Sequence, residues 1–293
     1  MKSGELQPQQ AENLIHWIHE REAIRAKKDA GEPGPWTEDP ILRNYRFCNV
    51  HREDDKVTRW IAEHWRKPYA SDPNLWFWML IARLINLPAS LAVLPPPQPK
   101  WNPKKDFVTP LKRRRDHEEK TVFNAAYIVS TNGRAVDKLD YLAEEVLAPA
   151  WEARRVVAPS GLATLASFAE RLRSLNGVAG FMAGQVVADM KYVAPLRSAP
   201  DWESFAISGP GSRRGLNRIF GRPTAQPWKE PEWLDMLGEL RDWIATESSD
   251  VDALCEIHNQ DLQNCLCEFD KWSRAANGEG KPKQIYFQGR KDI

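Results

Sequence analysis

Most of the features that betray a function at first reading are missing from this 293-residue chain. It has no G-x-x-x-x-G-K-[ST] and no G-x-G-x-x-G run, which argues against ATP or NAD binding in either familiar mode. The longest apolar run, Leu75 to Ala82, stops at Arg83 and falls far short of the roughly 20 residues of a membrane helix. The opening MKSGELQPQQAENL has no apolar signal-peptide core. Four cysteines (Cys48, Cys255, Cys265, Cys267) show neither C-x-x-C spacing nor the density of a secreted scaffold, so free thiols in a reducing compartment are expected and a structural zinc is not. His51, His64 and His258 lack H-x-x-x-H spacing, so no catalytic metal is expected. Charge of one sign is also lacking: 41 basic against 40 acidic residues leave +1, and any electrostatic partner must be met by local patches. There is no internal repeat and no paired strand pattern. What remains is the expectation of a soluble, cytoplasmic, predominantly α-helical protein with a sizeable core.

Tryptophan is present in excess, 13 residues, as core or as a platform for bases. Residues 1–40 carry a helical pattern and then the connector GEPGPWTEDP, and are read as an N-terminal extension to a domain spanning 41–293. Apolar positions from Ile41 to Trp65 recur at helical intervals, with Asn49, Arg52, Lys56 and Arg59 on a separate stripe. Residues 73–94 are apolar nearly all round, so Arg83 and Asn86 need partners inside. The run starting at Thr121 reads as a strand or a buried helix, turns at Asn132-Gly133 and continues as an amphipathic helix. Further helices are expected over Leu162–Leu175, Phe181–Tyr192, Trp233–Thr246 and Val251–Ala276. Charge is segregated: residues 205–223 hold 4 Arg and no acid, residues 100–120 hold 8 basic and 4 acidic groups, and residues 230–270 hold 12 acids and one base.

Three segments stand out. In FAISGPGSRRGLNRIFGRP (205–223), Gly209 and Gly211 permit a reversal with positive φ, and the helix start beyond them offers N–H groups to an anion. This layout fits a helix-hairpin-helix element that grips DNA phosphate through Gly209, Gly211 and Ser212, with Arg213, Arg214 and Arg218 adding charge; an ordinary loop with solvated arginines fits about as well. In DLQNCLCEFDKW (261–272), Leu262, Cys265, Leu266, Phe269 and Trp272 share one helix face, and Asp261, Asn264, Glu268 and Lys271 form an adjoining stripe. Two carboxylates, an amide and an ammonium on one groove edge suit nucleophile activation and neutralisation of a departing anion, although a solvated face with i, i+3 ion pairs is commoner. In RNYRFCNVHREDDKVTRW (43–60), Arg43, Asn44, Arg46, Asn49, Arg52, Lys56 and Arg59 are either phosphate and base contacts or the wet face of a helix.

The segments RNYRFCNVHREDDKVTRWI, AYIVSTNGRAVDK, GPGSRRGLNR, LCEFDKW and NGEGKPKQIY, in this order over roughly residues 40–290, resemble the phage family of thymine-hypermodification enzymes, the α-glutamyl/putrescinyl thymine pyrophosphorylases or amino acid:DNA transferases. The same helical unit occurs in 5-hydroxymethyluracil DNA kinases, whose P-loop this sequence lacks. The family is held to be related to helix-hairpin-helix DNA glycosylases. The resemblance implies an all-α, glycosylase-like fold that holds DNA, flips out a pyrimidine and replaces the pyrophosphate of pyrophosphorylated 5-hydroxymethyluracil with an amine such as glycine, glutamate or putrescine. It implies functional pairing with a 5-hydroxymethyluracil DNA kinase in the host cytoplasm. No resident cofactor is implied, a divalent metal at the leaving pyrophosphate being left open.

By the same analogy Asp261 stands nearest the reacting carbon, with Glu268 as the other choice of base. Lys271, Arg46 and Arg52 meet the pyrophosphate, Asn49 and Asn264 the substrate. The competing readings are a glycosylase acting on a modified pyrimidine, which would leave an abasic site, and a DNA-binding module without catalysis.

Overall fold

The computed structural model describes residues 4–124, 130–247, 257–282 and 284–286. The chain divides into two compact units, Met1–Asp55 with Glu203–Ile293, and Lys56–Trp202. The first unit begins with α1 (Pro8–Asp29) and α2 (Pro40–Asn44). The second contains α3 (Lys56–Ile61), α4 (Leu75–Ile85), α5 over 104–117, α6 over 138–152, α7 (Leu165–Arg173) and α8 (Gly180–Met190). The chain returns to the first unit with α9 (Pro210–Ile219), α10 (Glu230–Glu247) and α11 (Asn259–Ala276). Among the described residues the only β pairing is an isolated antiparallel bridge between Tyr45 and Ile285, so the all-α expectation holds. The run beyond Thr121 and the start of the last expected helix fall partly on 125–129 and 248–256, outside the described residues.

The boundary expected at residue 40 is not where the structure divides the chain. α1 is no extension: its Leu14, Trp17 and Ile18 are buried in the same core as Trp233 of α10 and Leu262, Leu266 and Phe269 of α11. The helices expected over 41–65 also need correction. Pro40–Asn44, a single 3-10 turn at Arg52–Asp54 and the segment from Lys56 are helical, and residues 45–51 form an irregular loop. The spacing of Phe47 and Val50 does not come from a helix: both reach the same core from an irregular loop, Phe47 through an edge contact with Trp17.

In the second unit α4 is buried along its whole length, as its all-round apolar sequence predicts. Arg83 finds its partners inside: Nε and Nη2 fork onto the Asp189 carboxylate of α8, Nε at 2.6 Å, Nη2 also donates to Thr58, and Nη1 donates to Asn86 at 3.2 Å. A buried guanidinium is tolerated because a bidentate carboxylate neutralises it. Asn86 ends the helix in the left-handed region at φ 48°. The Asn132-Gly133 turn forms with both residues at positive φ, 53° and 78°, as a two-residue reversal requires. Of the 13 tryptophans, eight are buried and the other five half-buried, so they are chiefly core rather than an open platform.

The Gly-Pro-Gly segment opens α9, but residues 205–209 before it are extended, and no helix directly precedes the turn. Neither Gly209, at φ −125°, nor Gly211 has positive φ. The glycines serve close approach instead. A methyl group on Gly211 would strike Cys267 Sγ, and one on Gly215 would strike the Leu266 carbonyl, so α9 and α11 cross with backbone against backbone. Ser212, expected on DNA, is fully buried and its hydroxyl caps the helix by accepting from the Gly209 N–H at 2.9 Å.

The crossing predicts a contrast between two glycines. Gly215→Ala should lower stability by about 1–3 kcal/mol through overpacking. Gly238→Ala, in the middle of α10 with open space at its Cβ position, should be neutral or stabilise by about 0.5–1 kcal/mol. Chemical denaturation midpoints of the two variants measure the difference.

Candidate active site

The polar stripe of α11 does not edge an open groove. It is the seat of the loop 47–52, which runs antiparallel along it. Asp261 Oδ1 accepts the Arg52 N–H at 3.0 Å, Asn264 Nδ2 donates to the Asn49 carbonyl at 3.2 Å, Glu268 Oε2 accepts the Cys48 N–H at 3.0 Å, and Lys271 Nζ lies 4.5 Å from the centre of the Phe47 ring. From the other side Arg21 of α1 donates to the Cys48 carbonyl at 3.1 Å and to Asn49 Oδ1 at 3.0 Å. The apolar face of α11 behaves as its periodicity predicts: Leu262, Cys265, Leu266 and Phe269 are fully buried.

This arrangement changes what each expected residue can do. Asn49 is committed to structure, its amide nitrogen donating to the Asp54 carbonyl at 2.9 Å and its oxygen accepting from Arg21, so it is not available to read a pyrimidine edge. Asp261 is buried, with 4% of its side chain exposed, and stands in the first turn of α11. Its second oxygen lies 3.3 Å from His51 Nδ1 and 3.2 Å from His258 Nε2. His258 is the N-cap, its Nδ1 accepting the Asp261 N–H at 3.2 Å. A carboxylate so enclosed cannot itself reach a substrate amine; the group it presents to solvent is His51, whose side chain is 23% exposed. Nδ1 of His51 faces the carboxylate, which leaves Nε2 outward as the acceptor in the neutral ring. The bond from Asp261 pulls the His51 pKa above its ordinary value, against burial, and the negative charges of Asp261, Glu22 and Asp54 act in the same direction.

The catalytic residues expected from the sequence therefore fall into two groups. At about 1.5 Å rise per residue, Asp261 stands roughly 10 Å from Glu268 and 15 Å from Lys271 along the helix axis. Glu268 is buried and bound to Lys271 Nζ at 2.6 Å, the i, i+3 ion pair that a helix surface commonly forms. Arg46 belongs to that end as well, its N–H donating to the Gln284 carbonyl at 3.1 Å beside the Tyr45–Ile285 bridge. Arg52 is the member of the pyrophosphate set that shares the Asp261 end. His51, Arg21 and His258 were missed by sequence reasoning. A His-x-x-Asp spacing at a helix start was the one local signal for His258, while His51 and Asp261 are 210 positions apart.

The arginines expected on DNA are also engaged by their own unit. Arg213 donates to Ser208 Oγ at 2.7 Å and pairs with Glu230 at 2.9 Å. Arg214 and Arg218 both bind the fully buried Asp270, at 2.8 and 3.0 Å, and Arg218 extends to Glu279. They join α9 to α11 and are already neutralised by carboxylates of their own unit. Among the described residues no three His, Cys, Asp or Glu side chains form a cluster that could hold a metal, and no helix is long and apolar enough to cross a membrane.

The His51–Asp261 contact has a sign that can be checked. Because the folded His51 pKa is raised above the unfolded value near 6.5, its contribution to stability is complete below about pH 6.5 and disappears as pH climbs through the raised value. Asp261→Asn should bring the His51 titration, followed by imidazole NMR, back toward or below 6.5 and flatten that pH dependence. An unchanged His51 titration would show that the contact does not exist in solution.

Comparison with known proteins follows the same outline. A 5-hmdU DNA kinase of Bacillus phage SP10 is 25% identical over an alignment of 224 residues that covers 65% of this chain and 33% of the relative, so the chain spans about a third of the length of that curated protein. No solved structure matches. The model of the helical domain of 5-hmdU DNA kinases matches residues 9–282. That match starts inside α1, ends beyond α11 and takes in both units, and the chain belongs to the 5-hmdU DNA kinase helical-domain family.

Proposed function

We propose that this protein is a transferase of phage thymine hypermodification, which replaces the pyrophosphate of pyrophosphorylated 5-hydroxymethyluracil in DNA with a small amine. Family membership supports the link to 5-hydroxymethyluracil DNA. The observation that carries an enzymatic reading over a binding module is the buried Asp261 holding Nδ1 of a partly exposed histidine, a pairing that leaves a base facing outward.

The reaction needs an unprotonated amine and a leaving anion. The amine nitrogen bonds to the exocyclic methylene carbon of the base while the carbon–oxygen bond to pyrophosphate breaks, and pyrophosphate leaves with the electron pair. The proton lost by nitrogen passes to His51 Nε2, and Asp261 steadies the imidazolium that forms. Asp261 is thus a positioning residue in this reading and His51 the catalytic one. The negative field of Asp261, Glu22 and Asp54 around His51 also favours approach of a cationic donor such as an amino acid or a polyamine. Arg52, next to His51 in the loop, is assigned to the pyrophosphate. The glycosylase resemblance contributes the extruded base, at a cost of about a few kcal/mol. Activation is left to the partner kinase, since hydroxide is a poor leaving group and this chain has no nucleotide-binding loop.

Mass spectrometry of nucleosides from pyrophosphorylated hydroxymethyluracil DNA, incubated with the protein and a pool of amino acids and polyamines, tests the proposal. An amine adduct on the thymine methylene should appear with release of pyrophosphate and without ATP. His51→Gln should cut turnover by about 10²-fold or more with DNA binding retained. Asp261→Asn should move the pH profile of the rate to lower pH. Product from hydroxymethyluracil DNA without prior activation, an absolute need for ATP, or abasic sites in place of an adduct would overturn it.

A further inference from the structure

In the second unit α5 borders a cleft of about 1040 Å³ lined by Lys104, Lys112, Arg113 and His117 from α5 and by Asp140 and Glu144 from α6. Three of the wall segments are wide turns with i→i+5 hydrogen bonds: Lys104–Val108, Arg113–His117 and Leu142–Leu147. Such π turns are rare and concentrate at functional sites. Here they set Phe107, Val108 and Leu111 into the core and leave Lys104, Lys105, Arg113 and His117 exposed. Lys112 is paired with Asp140 at 2.6 Å and Arg115 with Asp137 at 2.7 Å. Lys104, Lys105 and Arg113 have no carboxylate partner among the described residues, the reverse of Arg213, Arg214 and Arg218 in the first unit.

We infer that this face of α5 is where the protein holds the phosphate backbone of DNA. The inference rests on the reading of DNA as substrate and relocates its main contact from the Gly-Pro-Gly helix start to the second unit. The sequence of α5, KKDFVTPLKRRRDH, carries six Lys or Arg against two Asp; Lys104, Lys112, Arg113 and His117 line the cleft and Lys105 is exposed next to Lys104 in sequence, so the positive groups follow one another along the helix. Lys104 and Arg113 stand at most about 13 Å apart along the axis, the π turns rising less than the 1.5 Å per residue of an α-helix, a span that about three to four nucleotides of one strand cover at roughly 3.4 Å each. A small anion would need its cations converging on one point. A polyanion is met by cations spaced along a line. Glu144 and the paired Asp140 in the wall restrict the contact to the two ends of the helix, where the unpaired cations are.

Fluorescence anisotropy of labelled, unmodified duplex DNA across a salt series decides the matter, and needs no turnover. Binding by the wild-type protein should weaken steeply with salt, by about 0.9 in log–log slope per phosphate neutralised. The triple variant Lys104→Gln, Lys105→Gln, Arg113→Gln should flatten the slope by about 2 to 3, whereas Arg213→Gln should leave it unchanged. The three positions are exposed, so circular dichroism should match wild type, and the corresponding change of Lys104 and Lys105 to Arg with Arg113 to Lys should keep the wild-type slope. An unchanged slope in the triple variant overturns the inference alone. Displacement of DNA by inorganic pyrophosphate at matched phosphate concentration overturns it in favour of a small-anion cleft. No DNA binding by wild type at low salt removes the DNA-substrate reading itself.

Discussion

Residues 47–51 have no regular secondary structure, yet they lie along α11 with Arg21 of α1 bonded to them from the other side, and the hydrogen bonds that make this tolerable govern the first unit. A backbone amide shielded from water without a partner costs about 1–3 kcal/mol, and an irregular loop has no ladder to supply partners for all of its own, although Asp55 Oδ1 accepts the Asn49 N–H at 3.2 Å. Asp261 and Glu268 of α11 therefore accept the Arg52 and Cys48 amides, Asn264 donates to the Asn49 carbonyl, and Arg21 of α1 donates to the Cys48 carbonyl. The reciprocal problem is solved by the same bonds. Two nearly buried carboxylates are unacceptable alone, and each is stabilised by a loop N–H and by a cationic or imidazole neighbour. Close approach of α9 to α11 through Gly211 and Gly215 keeps α11 in place beneath the loop.

The proposed chemistry depends on that seat. A surface histidine is ordinarily free to rotate, and its pKa stays near 6.5. His51 is not free, because its neighbour Arg52 is pinned by backbone to the same carboxylate that its own ring meets. One carboxyl group thus fixes the loop with one oxygen and orients the imidazole with the other. Division of labour between the oxygens explains why the acid that seems the natural base in the sequence lies behind the histidine rather than beside the solvent.

The sequence made the helical class legible, along with the buried face of α11 and the need of Arg83 for a partner, since each follows from periodicity or burial within a few turns of one helix. The polar stripe Asp261, Asn264, Glu268, Lys271 was legible as a stripe, but not its partner, because the partner loop is more than 200 positions away and has no pattern of its own. Both readings available from sequence, an open catalytic edge and a solvated face, assumed that the stripe meets solvent. It meets backbone. His51 was set aside on metal-ligand spacing, a test that detects neighbours on one helix and not a histidine paired through tertiary structure. The same limit applies to residues 1–40, where a Pro/Gly connector suggested an extension but the apolar Leu14, Trp17 and Ile18 complete the core.

Charge runs misled for a related reason. Residues 205–223 contain arginines without acids, and residues 230–270 contain acids almost without bases; read along the chain each looks like a patch seeking an external partner. Folding brings the two together, so that Arg213 meets Glu230 and both Arg214 and Arg218 meet Asp270. Opposite runs close in space neutralise one another, and the more complementary they are in sequence the less field they leave outside. Residues 100–120 differ because eight basic groups are accompanied by only four acids within the segment, and Asp137, the N-cap of α6, and Asp140 within it pair with just two of the cations. An external anion is drawn to the excess that the fold cannot cancel, and in the described residues that excess lies on α5 rather than at the glycine-rich start of α9.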